Sequence, residues 1–70
     1  MIKFENRSNG RFYYIGVKKD LFGDLVIHII RGGANVSVSR LIFCDNDRTV
    51  REEIRRISKL RISRGYTLVE

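Results

Sequence analysis

Two runs rich in β-branched and aromatic residues, 12–17 and 25–30, constrain this chain more than anything else in it. Between them lies Lys19-Asp20-Leu21-Phe22-Gly23-Asp24, a cluster that favours a turn. Runs of that composition bounded by Asp and Gly read as two antiparallel strands joined in a hairpin. The second run stops at Arg31-Gly32-Gly33, where two glycines give the backbone conformations that other residues avoid. Everything after it has to fold back onto this hairpin.

Strand alternation places Arg11, Tyr13, Ile15 and Val17 on one face of the first strand (about 11–18) and Phe12, Tyr14, Gly16 and Lys18 on the other. Both faces carry apolar bulk, so this strand is expected to be central or covered on both sides. The second strand, about 24–31, is nearly continuous in apolar residues. Its one interruption, His28, reads as a partly buried strand residue. A third strand, about 35–43, begins with Val36 and Val38 pointing one way and Ser37 and Ser39 the other. At Arg40 the phase slips, leaving Leu41 and Phe43 on the serine face. A bulge near Arg40 would return them to the valines and re-aim the arginine. Upstream, residues 1–10 form a lead-in closed by Ser8-Asn9-Gly10, in which Ile2 and Phe4 alternate with charges and allow a short extra strand.

After the third strand the period changes. Asp45-Asn46-Asp47 offers helix caps, and Thr49 with Glu52 fits a capping box. From there to about residue 63, Val50, Ile54, Ile57, Leu60 and Arg61 share one arc, opposite Arg48, Arg51, Arg55 and Lys59. The aliphatic stripe should pack on the sheet and leave the basic stripe in water. Gly65 is expected just past the helix end, and 66–69 as a short final edge strand. The expectation is one α+β domain over 1–70, a small antiparallel sheet with one amphipathic helix on it.

Composition narrows the function. A hydrophobic content of 43% and a charged content of 31% belong to an ordinary globule. No apolar run approaches the roughly 20 residues that cross a bilayer, and the first residues lack the apolar centre of a secretory signal, so the expected location is cytoplasmic, away from membranes. One cysteine, Cys44, and one histidine make neither an internal disulfide nor a metal site, and Cys44 reads as a small apolar residue near a strand end. The acidic residues have structural duties: Asp20 and Asp24 flank the first turn, Asp45 and Asp47 fit caps, and Glu52 and Glu53 suit the first turns of a helix. No acid–base pair or nucleophile elbow stands out, so neither catalysis nor a cofactor is expected.

Charge points to a partner. The formal net charge is +6 and the pI near 10.1, which favours nucleic acid over other acidic partners. Seven basic residues fall in the helix region (Arg48, Arg51, Arg55, Arg56, Lys59, Arg61 and Arg64) against Asp47, Glu52 and Glu53, a local 7 − 3 = +4. Arg31 and Arg40 flank the glycine turn, and Arg64 adjoins Gly65-Tyr66. Arginine forks match phosphate oxygens, and tyrosine offers a stacking surface. The candidate contacts are therefore Arg31, Gly32, Arg40, Lys59, Arg61, Arg64 and Tyr66.

The order strand-Leu21-Phe22-Gly23-Asp24-strand, glycine turn, strand, helix and Arg64-Gly65-Tyr66 resembles the WGR domain family, over about residues 11–68. The best-matching parts are Tyr14 with the 20–24 turn, Gly32, Lys59 and Arg64-Gly65-Tyr66. Where that family carries Trp-Gly-Arg, this chain has Arg31-Gly32-Gly33, so only Gly32 carries over unaltered. The resemblance implies a WGR-like fold and a DNA partner, whose strand end the family's Trp and Arg meet in the poly-ADP-ribose polymerases. The basic residues here lead to the expectation of phosphate-backbone contacts with little sequence preference, on DNA more than RNA. Members also touch neighbouring protein domains, so a protein partner is the alternative, with the chain a monomer or weak homodimer.

Overall fold

The hairpin that dominates the sequence is the centre of the sheet. In the computed structural model, which describes residues 1–69, β2 (Arg11–Lys19) and β3 (Leu25–Gly33) pair antiparallel from Lys19 opposite Leu25 to Phe12 opposite Gly32. The Asp20 carboxylate closes the turn by accepting from the N–H groups of Phe22 and Asp24, both at 2.9 Å. Leu21 and Phe22 project into solvent at its tip.

The lead-in is a true strand, β1 (Ile2–Asn6), paired with β2. On the far side of β3 lies β4 (Val36–Cys44). The chain then forms α1 (Asp47–Ser63) and a two-residue strand, β5 (Thr67–Leu68), which pairs antiparallel with β1. The result is a five-stranded antiparallel sheet in the order β4-β3-β2-β1-β5 with one helix packed on it, an α+β fold. The three longer strands, the helix end and the final strand fall within one or two residues of their sequence bounds, while the lead-in strand, allowed but not bounded by the sequence, and the helix start are fixed by the structure.

One face of the sheet meets the helix. Phe4, Tyr13, Ile15, Ile27, Ile29 and Cys44 form the core with Val50 and Ile57 of α1, and Ile54 packs against them. Leu60, the last aliphatic in the helical arc, stays exposed, and the next member, Arg61, lies half-buried on the sheet. Arg48, Arg51, Arg55 and Lys59 are in water, as their spacing requires. The cap is Asn46, whose Oδ1 accepts from the Thr49 N–H at 2.9 Å and from its hydroxyl at 3.1 Å. Asp45 and Asp47 do not cap, and no Thr49–Glu52 box forms, because Thr49 lies inside the helix with its N–H and hydroxyl bound to Asn46, while Glu52 pairs with Arg48 at 3.1 Å.

β4 has no bulge at Arg40. Its pairing with β3 runs unbroken from Gly33 opposite Val36 to Leu25 opposite Cys44, with Arg40 opposite Ile29. Leu41 and Phe43 therefore stay on the serine face, 48% and 67% exposed. The physical reason is that this face has no second layer. α1 covers only the other side, so nothing forces these two side chains inward. Of the apolar residues on the open face only Val26 is buried. His28 is partly buried there, its Nε2 2.9 Å from the Ser39 hydroxyl. β2 is central but covered on one face only.

Cys44 ends β4 inside the core. Burial, then the nearby Glu53 and Asp45 carboxylates, push its thiol pKa above the ordinary range and so disfavour the thiolate further. A pKa raised on folding favours the folded state below the unfolded value and loses that contribution as pH rises through the folded one. Iodoacetamide at mildly alkaline pH should accordingly label native Cys44 far more slowly than the same residue in denaturant. Equal rates in the two states would show an accessible thiolate instead.

Candidate nucleic-acid interface

The helix ends in a Schellman motif that carries two arginines to the end of the sheet. The Gly65 N–H donates to the Ile62 carbonyl at 3.1 Å and the Tyr66 N–H to the Arg61 carbonyl at 3.0 Å. Gly65 makes this possible with φ +90°, a conformation costly for any residue with a Cβ. The motif brings Tyr66 back beside Arg61, where an apolar contact usually forms. Here the contact is a cation–π clamp. The Arg61 guanidinium sits 4.5 Å from the Tyr13 ring centre and 5.4 Å from that of Tyr66, and the two rings meet edge to face at 6.4 Å. Positive charge at a helix C-terminus also complements the dipole. Arg61 Nε is buried without a hydrogen-bond partner.

A buried asparagine fastens this corner. Asn6, at the end of β1, accepts from the Ser8 N–H at 3.1 Å and from its hydroxyl at 2.6 Å. Its own amide donates to the Arg64 carbonyl at 3.4 Å. The β1–β2 turn is thereby tied to the helix terminus. A Cβ on Gly65 would meet the same amide at 3.5 Å, an ordinary contact, so the positive φ and not crowding is what calls for glycine there.

The β3–β4 hairpin forms the opposite wall. Its two linking residues, Ala34 and Asn35, and both glycines have ordinary negative φ, so the glycines do not serve an unusual turn conformation as their sequence suggests. Gly32 is required for a different reason. A Cβ there would lie 2.0 Å from the Val36 carbonyl oxygen and 2.9 Å from the Ser37 Cα, both backbone. The hairpin closes because residue 32 has no side chain.

Between the walls lies a cleft of about 830 Å3. Arg11 and Arg31 reach it from the strands and Arg61 and Arg64 from the helix end, and among the described residues no Asp or Glu lines it. Among the described residues none of the four has a carboxylate partner; the ion pairs seen there, Arg48–Glu52 and Arg56–Glu53, lie on the helix's solvent side. Four cations gathered without counter-charge repel one another, a cost that an anion in the cleft would relieve.

Of the seven residues singled out in the sequence, the fold brings five to this cleft: Arg31, Gly32, Arg61, Arg64 and Tyr66. Arg40 stands outside it, exposed on β4 two positions beyond Val38, and Lys59 stays in the solvated helical stripe. Arg11, Phe12 and Asn6 line the cleft without having been singled out. Arg11 is the fourth cation, and its pairing position next to the glycines was visible only once β2 and β3 were in register. Among the described residues no group of three His, Cys, Asp or Glu side chains could hold a metal ion, and no helix is long and apolar enough to cross a membrane. No family model, curated protein or solved structure matches the chain. Its own geometry has to carry the functional reading.

Proposed function

We propose that this chain is a non-enzymatic, cytoplasmic nucleic-acid-binding module that grips backbone phosphates in the arginine cleft, DNA before RNA, with little sequence preference. The observation that carries the reading is the convergence of Arg11, Arg31, Arg61 and Arg64 on one concavity that no carboxylate of the described residues lines. Arginine forks suit phosphate oxygens, and contacts to phosphate position a strand without reading its bases. The resemblance to the WGR family supports the same choice, since Gly32, Arg64 and Tyr66, three of the matching positions, all line the cleft.

Fluorescence anisotropy with labelled DNA at two salt concentrations tests it. Binding should weaken steeply with salt, and Arg31→Ala should reduce affinity at low salt, where a single neutralised phosphate adds about 0.9 to the slope on duplex. Absence of binding at low salt would overturn the reading.

A second reading, a protein-interaction module, is favoured by one observation. The open sheet face presents Leu41 and Phe43 beside the unpaired outer edge of β4, a pattern suited to partner strands or apolar surfaces. Binding of that kind would depend weakly on salt and would be indifferent to Arg31→Ala.

A further inference from the structure

The arginine cleft does not end at its own walls. Phe12 lines it and also lines a smaller hollow of about 250 Å3, where Arg7, Arg11 and Tyr14 are its companions. The two concavities therefore share Asn6, Arg11 and Phe12 at the end of β2, where Arg11 belongs to the helix-side face and Phe12 to the uncovered one. At the junction the Phe12 and Tyr14 rings lie on the uncovered face of the sheet, centres 4.7 Å apart and planes 31° apart. Both are half-buried, and no layer of the protein packs over that face. Directly across the strand pair from Phe12 is Gly32, which has no side chain to lay against the ring. Lys3 adds a cation 5.7 Å from the Tyr14 ring centre. Among the described residues one carboxylate, Glu5, borders the smaller hollow.

An unpaired strand passing round this end of the sheet would meet cations on the helix side, where Arg11 and Arg31 lie with Tyr13 and Arg61, and open aromatic rings on the other side. Its phosphates bind the charges and its bases stack on the rings, whatever their sequence. A duplex could use only the first half of this arrangement, because its bases are already stacked on one another and show only their edges in the grooves. Resting on the nucleic-acid reading above, we propose that the two hollows form one track for single-stranded nucleic acid. Arg11, Arg31, Arg61 and Arg64 hold the phosphates, and Phe12 with Tyr14 is the platform for the bases. The shared chemistry is an unpaired polynucleotide. Deoxyribose and ribose forms differ only by the 2′-hydroxyl, which a protein must contact to tell them apart.

The test compares labelled oligodeoxyuridylate and oligouridylate, which share one base and differ only in the sugar, at about a dozen nucleotides, a length within the usual single-strand site sizes, with covalently closed circular duplex as competitor. The track requires the single strands to bind at least tenfold more tightly than the duplex. It also requires Phe12→Leu to cost roughly tenfold or more, as removing one stacking partner does, while Phe12→Tyr keeps the affinity. Circular dichroism of each variant reports that the sheet is retained, and the tyrosine variant serves if the leucine one does not fold. The ratio of the two oligonucleotides assigns the sugar. Duplex binding as tight as single-strand binding, or a silent Phe12→Leu, would overturn the track and leave the phosphate cleft standing. No binding to any of the three at low salt would remove the nucleic-acid reading altogether. A salt-insensitive protein ligand would then be the remaining occupant.

Discussion

Gly32→Ala is expected to lower the melting temperature by roughly 12 °C or more, at 4–8 °C per kcal/mol for a domain this small and a cost of about 3 kcal/mol. The new methyl would stand 2.0 Å from the Val36 carbonyl oxygen, against backbone atoms that cannot rotate away. The β3–β4 hairpin would have to shift, and with it the wall that carries Arg31. Gly33→Ala is the internal control. Its Cβ would meet only the Arg11 Cγ at 3.6 Å, an ordinary contact, and its φ is already accessible to alanine. That variant should melt within a few degrees of the parent or slightly above it, because alanine restricts the unfolded chain. A thermal melt followed by circular dichroism distinguishes the neighbours. Equal melting of Gly32→Ala and the parent would mean that the hairpin does not close as described.

The second large effect concerns charge. Arg11→Ala, Arg31→Ala and Arg64→Ala combined should leave the fold intact, since all three side chains are exposed and unpaired among the described residues. Affinity for duplex DNA should fall steeply, and the salt slope should shrink by up to about 2.7, at ~0.9 for each phosphate no longer neutralised. A matched variant with Arg51, Arg55 and Lys59 changed to alanine removes the same three charges from the solvated helical stripe. If its affinity falls as far as that of the first, net charge alone accounts for binding and the cleft has no special role. If its affinity falls only slightly, the cleft is the site.

The contrast between these two triads reflects how differently their residues arise from sequence. Arg51, Arg55 and Lys59 are legible as a solvated face from helical spacing alone. Arg61 sits in the aliphatic arc of the same helix, and its place there already implied contact with the sheet. What spacing did not disclose was the partner: Tyr13 and Tyr66, 53 positions apart in the chain, closing on one guanidinium. Arg11 carried no sequence signal beyond its charge. The slip in alternation at Arg40 was legible too, but its meaning was not. A bulge and an uncovered face produce the same pattern, and only the position of α1 on the other side decides between them.

By itself the sequence determined the strands, the helix, their order and most of their ends. Those follow from local causes, namely alternation, helical period, the Asp20 turn and Gly65 past the helix. It also determined a strong excess of positive charge. Tertiary structure alone decided where that charge gathers. Arg11, Arg31, Arg61 and Arg64 come together because β2 and β3 pair in one register and because the helix that follows β4 runs back across the sheet to end beside β1. It likewise decided why Gly32 is a glycine. The reason is a close approach to the backbone four residues on, made only when the hairpin has closed.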